Sequence, residues 1–91
     1  MAENQQQPNI KQRFGKAIRR RRRELDLSQE ELAERSDMHR TYISDIERGI
    51  VNPSLEVIEK LTDALDTTVS ELFVQYGIDR QEVHDRNSTE S

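Results

Sequence analysis

The stretch that decides the fold is Leu27–Gly49, LSQEELAERSDMHRTYISDIERG. Ser28 is a strong N-cap and Glu31 follows three residues later, the capping-box pattern, so a helix is expected to open at Gln29 and run to Arg35 or Ser36. Leu32 and Ala33 supply its apolar side. Asp37 falls where the chain must turn, and Asp tolerates left-handed backbone angles better than most residues. A second helix is expected from Arg40 to Arg48, with Gly49 ending it. Ile43 and Ile46 lie three apart, so they share a face and turn inward together. That leaves Arg40, Thr41, Ser44, Asp45 and Arg48 toward solvent, five hydrogen-bonding side chains on one small surface.

N-terminal to this stretch, residues 1–9 (MAENQQQPN) are polar and read as a disordered arm. A helix is expected from Ile10 to Leu25, with Phe14, Ile18 and Leu25 on one face. Eight of the thirteen residues from Lys11 to Arg23 are basic. Such a run is either a phosphate-facing patch or a solvated face; five consecutive arginines point around the whole helical wheel and cannot all meet one surface. C-terminal to it, Pro53 disfavours helical angles at Asn52 and Ser54 caps a fourth helix, Leu55 to Leu65. Leu55, Ile58, Leu61 (or Ala64) and Leu65 are its core residues. Thr68 with Glu71 is a second capping box, opening a fifth helix from Val69 to about Tyr76. Val69, Leu72 and Phe73 cannot all enter so small a core. Part of that surface, with Tyr76 and with Val74 and Ile78 in reserve, is expected to be a dimer face; the alternative is that this helix merely closes the core. Gly77 stops it, and 77–91 reads as a polar tail. The domain is thus expected to be 10–76.

Ninety-one residues make one domain with a small core, the kind that gains from dimerising. With no Cys there is neither a disulfide nor a cysteine metal site, and His39 and His84 have no metal-ligand spacing. No cofactor, catalytic triad or phosphate loop is implied, so an enzyme is not expected. No signal peptide or spanning segment is visible, and a soluble cytoplasmic protein with no membrane partner is the default. The net charge of −4 divides unevenly: residues 1–48 hold 11 Lys/Arg against 9 Asp/Glu, residues 49–91 hold 3 against 9. What matters for a polyanionic partner is the local field, which the first half makes positive.

Leu27, Ser28, Gln29, Leu32, Ala33, Ile43, Ile46, Glu47, Gly49, Pro53 and Leu55, with Leu65 and Leu72 further on, resemble the helix-turn-helix of the phage-repressor and Cro-like regulators, the XRE family. The likeness spans roughly 14 to 74, and RTYISDIERG followed by NPSLEVIEKL is most similar to the small controller proteins of restriction-modification systems. The resemblance implies an all-α, five-helix bundle of the lambda-repressor-like type, acting as a homodimeric, sequence-specific transcriptional regulator on a near-palindromic operator. Double-stranded DNA, a second copy and RNA polymerase are the partners it implies. A phage repressor, or an antitoxin-type protein-interaction module, is the alternative.

It also implies roles. Arg22 is expected to pair with Glu47, largely buried, linking the first helix to the third. Gln29 is expected to meet a phosphate and to brace the first residue of the reading helix. The major groove admits one α-helix whose N-terminal residues reach base edges. Arg40 is therefore the first base-contact candidate, its fork matching guanine O6/N7, with Thr41 and Ser44 next. Asp45 accepts from a cytosine amino group or else holds Arg40 or Arg48. Arg48 and Asn52 are phosphate candidates, and Tyr42 is either one more or a core-edge ring. His39 stands where the family usually has Ser or Thr.

Overall fold

The computed structural model describes residues 8–79. Within them the chain forms five α-helices and no strand: α1 (Ile10–Glu24), α2 (Gln29–Ser36), α3 (Arg40–Glu47), α4 (Leu55–Ala64) and α5 (Val69–Gln75). Every boundary lies within one residue of the sequence expectation. In four helices the residue expected to be last is the C-cap instead: Leu25, Arg48, Leu65 and Tyr76.

The helix starts follow from side-chain oxygens placed to take orphan N–H groups. Ser28 accepts from Glu31 N at 3.0 Å while the Glu31 carboxylate accepts from Ser28 N at 2.7 Å, the full reciprocal box. Asn9 and Gln12 make the same arrangement at α1, both bonds 2.9 Å, so Asn9 belongs to the folded domain and not to an arm. Ser54 caps α4. At α5 only half of the expected box forms: Thr68 accepts from Glu71 N, but the Glu71 carboxylate turns to the Thr67 hydroxyl at 3.1 Å. His39 precedes α3 with no side-chain cap bond.

The helix ends share one device. Asp26, Asp37 and Asp66 follow α1, α2 and α4 with φ of 59–60°. Each lets the next amide fold back onto the helix: Leu27 N to Arg22 O, Met38 N to Ala33 O, Thr67 N to Thr62 O, at 2.8–3.0 Å. Asp is among the few residues that take the left-handed region locally, and here it stands where glycine usually does.

Phe14, Ala17 and Ile18 of α1, Leu27, Leu32 and Ala33, Ile43 and Ile46 of α3, Leu61 and Leu65, Leu72 and Ile78 form one buried cluster. Three expectations are corrected by it. Leu55 is 83% exposed: it sits at the first position of α4, before that helix reaches the core, and is no core residue. Ile78 is fully buried, so the packed domain runs past 76 and the polar tail does not begin at Gly77. Leu72 is also fully buried within its own protomer, which removes it from the dimer face; α5 has to insert one large residue to close the bundle, and Leu72 is that residue. The rest of the expected arm and tail, including His84, lies outside the described residues.

The basic run is neither a uniform solvated face nor a uniform patch. Arg13 donates to Pro8 O and Ile78 O, pinning both ends of the domain. Arg21 donates to Leu65 O and Asp66 O, and Arg35 of α2 to Ala64 O, so three orphan carbonyls at the end of α4 meet guanidinium groups. Arg20 lies 5.1 Å from the Tyr76 ring centroid and pairs with Glu24, whose carboxylate also accepts from the Tyr76 hydroxyl. Arg22 is buried against Glu47.

Candidate nucleic-acid interface

The site is built on α3, and α3 is held from beneath. Ile43 and Ile46 are fully buried on one face. At the crossing with α1 there is no side chain at all: a Cβ on Gly15 would meet the carbonyl oxygens of Ile46 and Glu47, the latter at 2.6 Å. Gly49 has a φ of +75°, and a Cβ on it would come within 2.8 Å of Gln12. Backbone therefore lies directly on backbone, and α3 has little room to rock.

At the C-terminal end of α3 the buried Glu47 carboxylate collects four donors' worth of contact. Arg22 reaches it twice, at 2.6 Å and 3.0 Å, the Gln29 amide donates to Oε1 at 3.0 Å, and Arg19 Nε approaches the same oxygen at 3.5 Å. Arg22 also donates to Leu27 O at 2.8 Å, so one guanidinium ties α1, the α1–α2 connection and α3 together. The expected Arg22–Glu47 pair is present. Burial pushes the Glu47 carboxyl up, but the hydrogen bonds from Arg22 and Gln29 and the charge of Arg22 outweigh it and hold it below the usual carboxylate range. The hydrogen bond to Glu47 raises Arg22 in turn. Gln29 differs from its expected role: its amide braces the last residue of α3, not the first, because the first turn of α2 lies against the end of α3.

On the outer face, Arg40 and Thr41 are exposed and Ser44 is half-exposed, one turn further along. Among the described residues Arg40 has no salt-bridge partner. Asp45 holds Arg48, with Oδ1 2.6 Å from Nη2, and not Arg40. Tyr42 is half-buried with its ring packed against the core cluster. Asn52 is exposed in the α3–α4 loop, beside a groove of about 240 Å³ lined also by Ile10, Lys11, Phe14, Leu55 and Phe73. Thus the four base-contact candidates share one helix surface, Arg48 and Tyr42 flank it, and Gln29 meets it from behind through Glu47.

Of the expected dimer residues on α5, Val69 is 43% exposed, and Phe73 is half-buried with its ring centroid 6.0 Å from that of Phe14. Tyr76 is half-buried and bonded to Glu24, and Val74 is 69% exposed. Sequence reasoning did not find the Arg19 contact with Glu47 or the arginine caps on α4. Charge spacing alone could not have revealed them, since each partner lies 28 or more residues away. Among the described residues no group of three or more His, Asp or Glu is placed to hold a metal, and no helix is long and apolar enough to cross a membrane.

A family model described as helix-turn-helix matches residues 18–72. The control protein C.BamHI of Bacillus amyloliquefaciens is 49% identical over 66 residues, covering 71% of this chain and 82% of that protein. The crystal structure of the restriction-modification controller protein C.AhdI from Aeromonas hydrophila matches with a TM-score of 0.68 at 44% identity, over 69% of this chain and 96% of that one. The restriction-modification controller protein C.Esp1396I, crystallised as a tetramer in complex with its natural 35 base-pair operator, matches with a TM-score of 0.71 at 28% identity, over 77% of this chain and 92% of that one.

Proposed function

The chain belongs to the helix-turn-helix family, and from that premise we propose that it is a sequence-specific DNA-binding transcriptional regulator of the restriction-modification controller type, acting as a homodimer on a near-palindromic operator. One observation carries the reading: Arg40, Thr41 and Ser44 stand outward on α3 while Ile43 and Ile46, on the opposite face, are sealed in the core. A short helix anchored so firmly and bearing only hydrogen-bonding groups outward suits insertion into a major groove.

In this reading Arg40, Thr41, Ser44 and Asp45 face base edges, Asp45 also aiming Arg48. Arg48, Tyr42, Asn52 and the first turn of α2 at Gln29 face phosphates, the last because the N-terminal N–H groups of a helix favour an anion. Val69, Phe73 and Tyr76 of α5, joined by Val74, supply the contact with the second copy. The relatives' printed roles as control proteins support the assignment. Bound beside a promoter, the dimer meets RNA polymerase, and operator position sets activation or repression. The protein acts in the cytoplasm, associated with the nucleoid when bound.

Selection from a random-sequence duplex library tests this. The expected product is an inverted repeat whose half-sites lie about 34–36 Å apart, one helical turn. A retained pool with no enriched sequence overturns the reading, and enrichment of a lone half-site overturns its dimeric part.

A further inference from the structure

With Arg13, Arg20, Arg21 and Arg22 engaged by the protein itself and Lys11 at the separate groove beside Asn52, the remaining basic residues of α1 fall into order. Lys16 and Arg23 are exposed and without an ion-pair partner among the described residues, and Arg19 lies between them with its side chain 40% exposed. The spacing of three and four residues puts Lys16, Arg19 and Arg23 on one helix face, where they line a shallow cleft of about 370 Å³ with Arg20 and Glu24. Both acidic groups that adjoin this stripe already have partners: Glu47 is buried among its donors, and Glu24, which is partly exposed in the cleft, is held by Arg20, Arg21 and the Tyr76 hydroxyl. Arg19 approaches the same Glu47 oxygen that receives the Gln29 amide, so the middle of the stripe abuts the first turn of α2. The close backbone crossing at Gly15 fixes its position relative to α3.

We infer that Lys16, Arg19 and Arg23 form a second DNA-backbone contact, a phosphate rail on α1 continuous with the first turn of α2 and lying outside the reading helix. The inference rests on the DNA-binding reading above. From Lys16 to Arg23 the helix rises about 10.5 Å, comparable with three phosphate-to-phosphate steps of about 3.4 Å of duplex axis along one strand. A basic row of that length with no bidentate partner of its own discriminates no base; it adds affinity and orients the duplex.

The test is the salt dependence of binding to a random-sequence 40-bp duplex and to the duplex returned by selection. Lys16→Gln with Arg23→Gln removes two charges that hold no partner in the fold, and thermal denaturation is expected to be unchanged. Each phosphate contact contributes about 0.9 to the slope of log K against log salt, so the double variant is expected to lose about 1.8 on both duplexes, with its ranking of operator variants intact. Adding Arg19→Gln lowers the slope by about 0.9 more. A double variant whose slope equals that of the parent overturns the rail, whether the stripe is simply solvated or meets an acidic protein. The two readings separate cleanly: a reduced slope on random duplex with no operator returned keeps the rail and sinks sequence-specific regulation.

Discussion

The Arg22 guanidinium and the Glu47 carboxylate meet at two points, 2.6 Å from Nε to Oε2 and 3.0 Å from Nη2 to Oε1, where both side chains are almost wholly withdrawn from solvent. The pair joins α1 to the final turn of the helix that carries the candidate base contacts. Because both charges are desolvated, the geometry matters more than the attraction: either partner alone is a buried ion without its main counter-charge, Glu47 keeping only Gln29 and the longer contact with Arg19. Arg22→Ala is expected to cost about 3–5 kcal/mol in urea denaturation, and Arg22→Met combined with Glu47→Leu far less. An unchanged midpoint in Arg22→Ala contradicts this account.

The same pair sets an acid limit. Glu47 titrates below the usual carboxylate range when folded, so the native state binds its proton more weakly than the unfolded chain does. Its contribution is complete above the ordinary carboxylate pKa and is lost as pH falls through the lowered folded value. Stability is expected to hold from pH 7 to about pH 5 and to fall below about pH 4. In Glu47→Gln, measured across the same range, the fall is shallower.

Gly15 is a packing requirement. Alanine has the better helix propensity by about 1 kcal/mol, yet its methyl group would press on the backbone carbonyls of Ile46 and Glu47. Neither can move without shifting α3. Gly15→Ala is expected to destabilise by about 1–3 kcal/mol, read as a lowered Tm, and to weaken any binding by α3.

In the proposed DNA-binding reading, Arg40 reads bases and Arg48 holds the backbone. Arg40→Ala is expected to cost about 1–3 kcal/mol at one base position and to relax selectivity there, seen in competition between operator variants. Arg48→Ala weakens all duplexes alike and lowers the salt slope by about 0.9. Asp45→Ala frees Arg48 from its 2.6 Å partner and is expected to raise affinity for random duplex relative to operator. If Arg40→Ala weakens every duplex equally, the base-contact assignment is wrong.

Along α5, burial divides the residues between core and surface, and the proposed contact with a second copy rests on the surface ones. Val69→Asp, at an exposed position, is expected to shift sedimentation toward monomer with little change in protomer stability. Leu72→Ala is expected to cost about 2–5 kcal/mol through the cavity it leaves. A Val69→Asp protein as dimeric as the parent removes α5 from the interface.

Local chemistry was legible from the chain alone. Ser28 with Glu31, Ser54 and Gly49 each act on backbone groups within four residues, so their effect is visible in sequence order, and Ile43 with Ile46 set the inward face of α3 by helical geometry alone. Asp26 and Asp66 repeat the Asp37 turn, and Leu25–Asp26 and Leu65–Asp66 were the available signal for it. What only the tertiary structure decided was the fate of groups whose partners are remote. Which arginine of five identical neighbours caps α4 and which stacks on Tyr76 depends on where the other helices pass, whereas Arg22 on Glu47 was expected from the family resemblance and not from charge spacing. So does the burial of Leu72 and Ile78 beside the exposure of Leu55: periodicity names a face, but only the packed neighbours determine whether anything covers it.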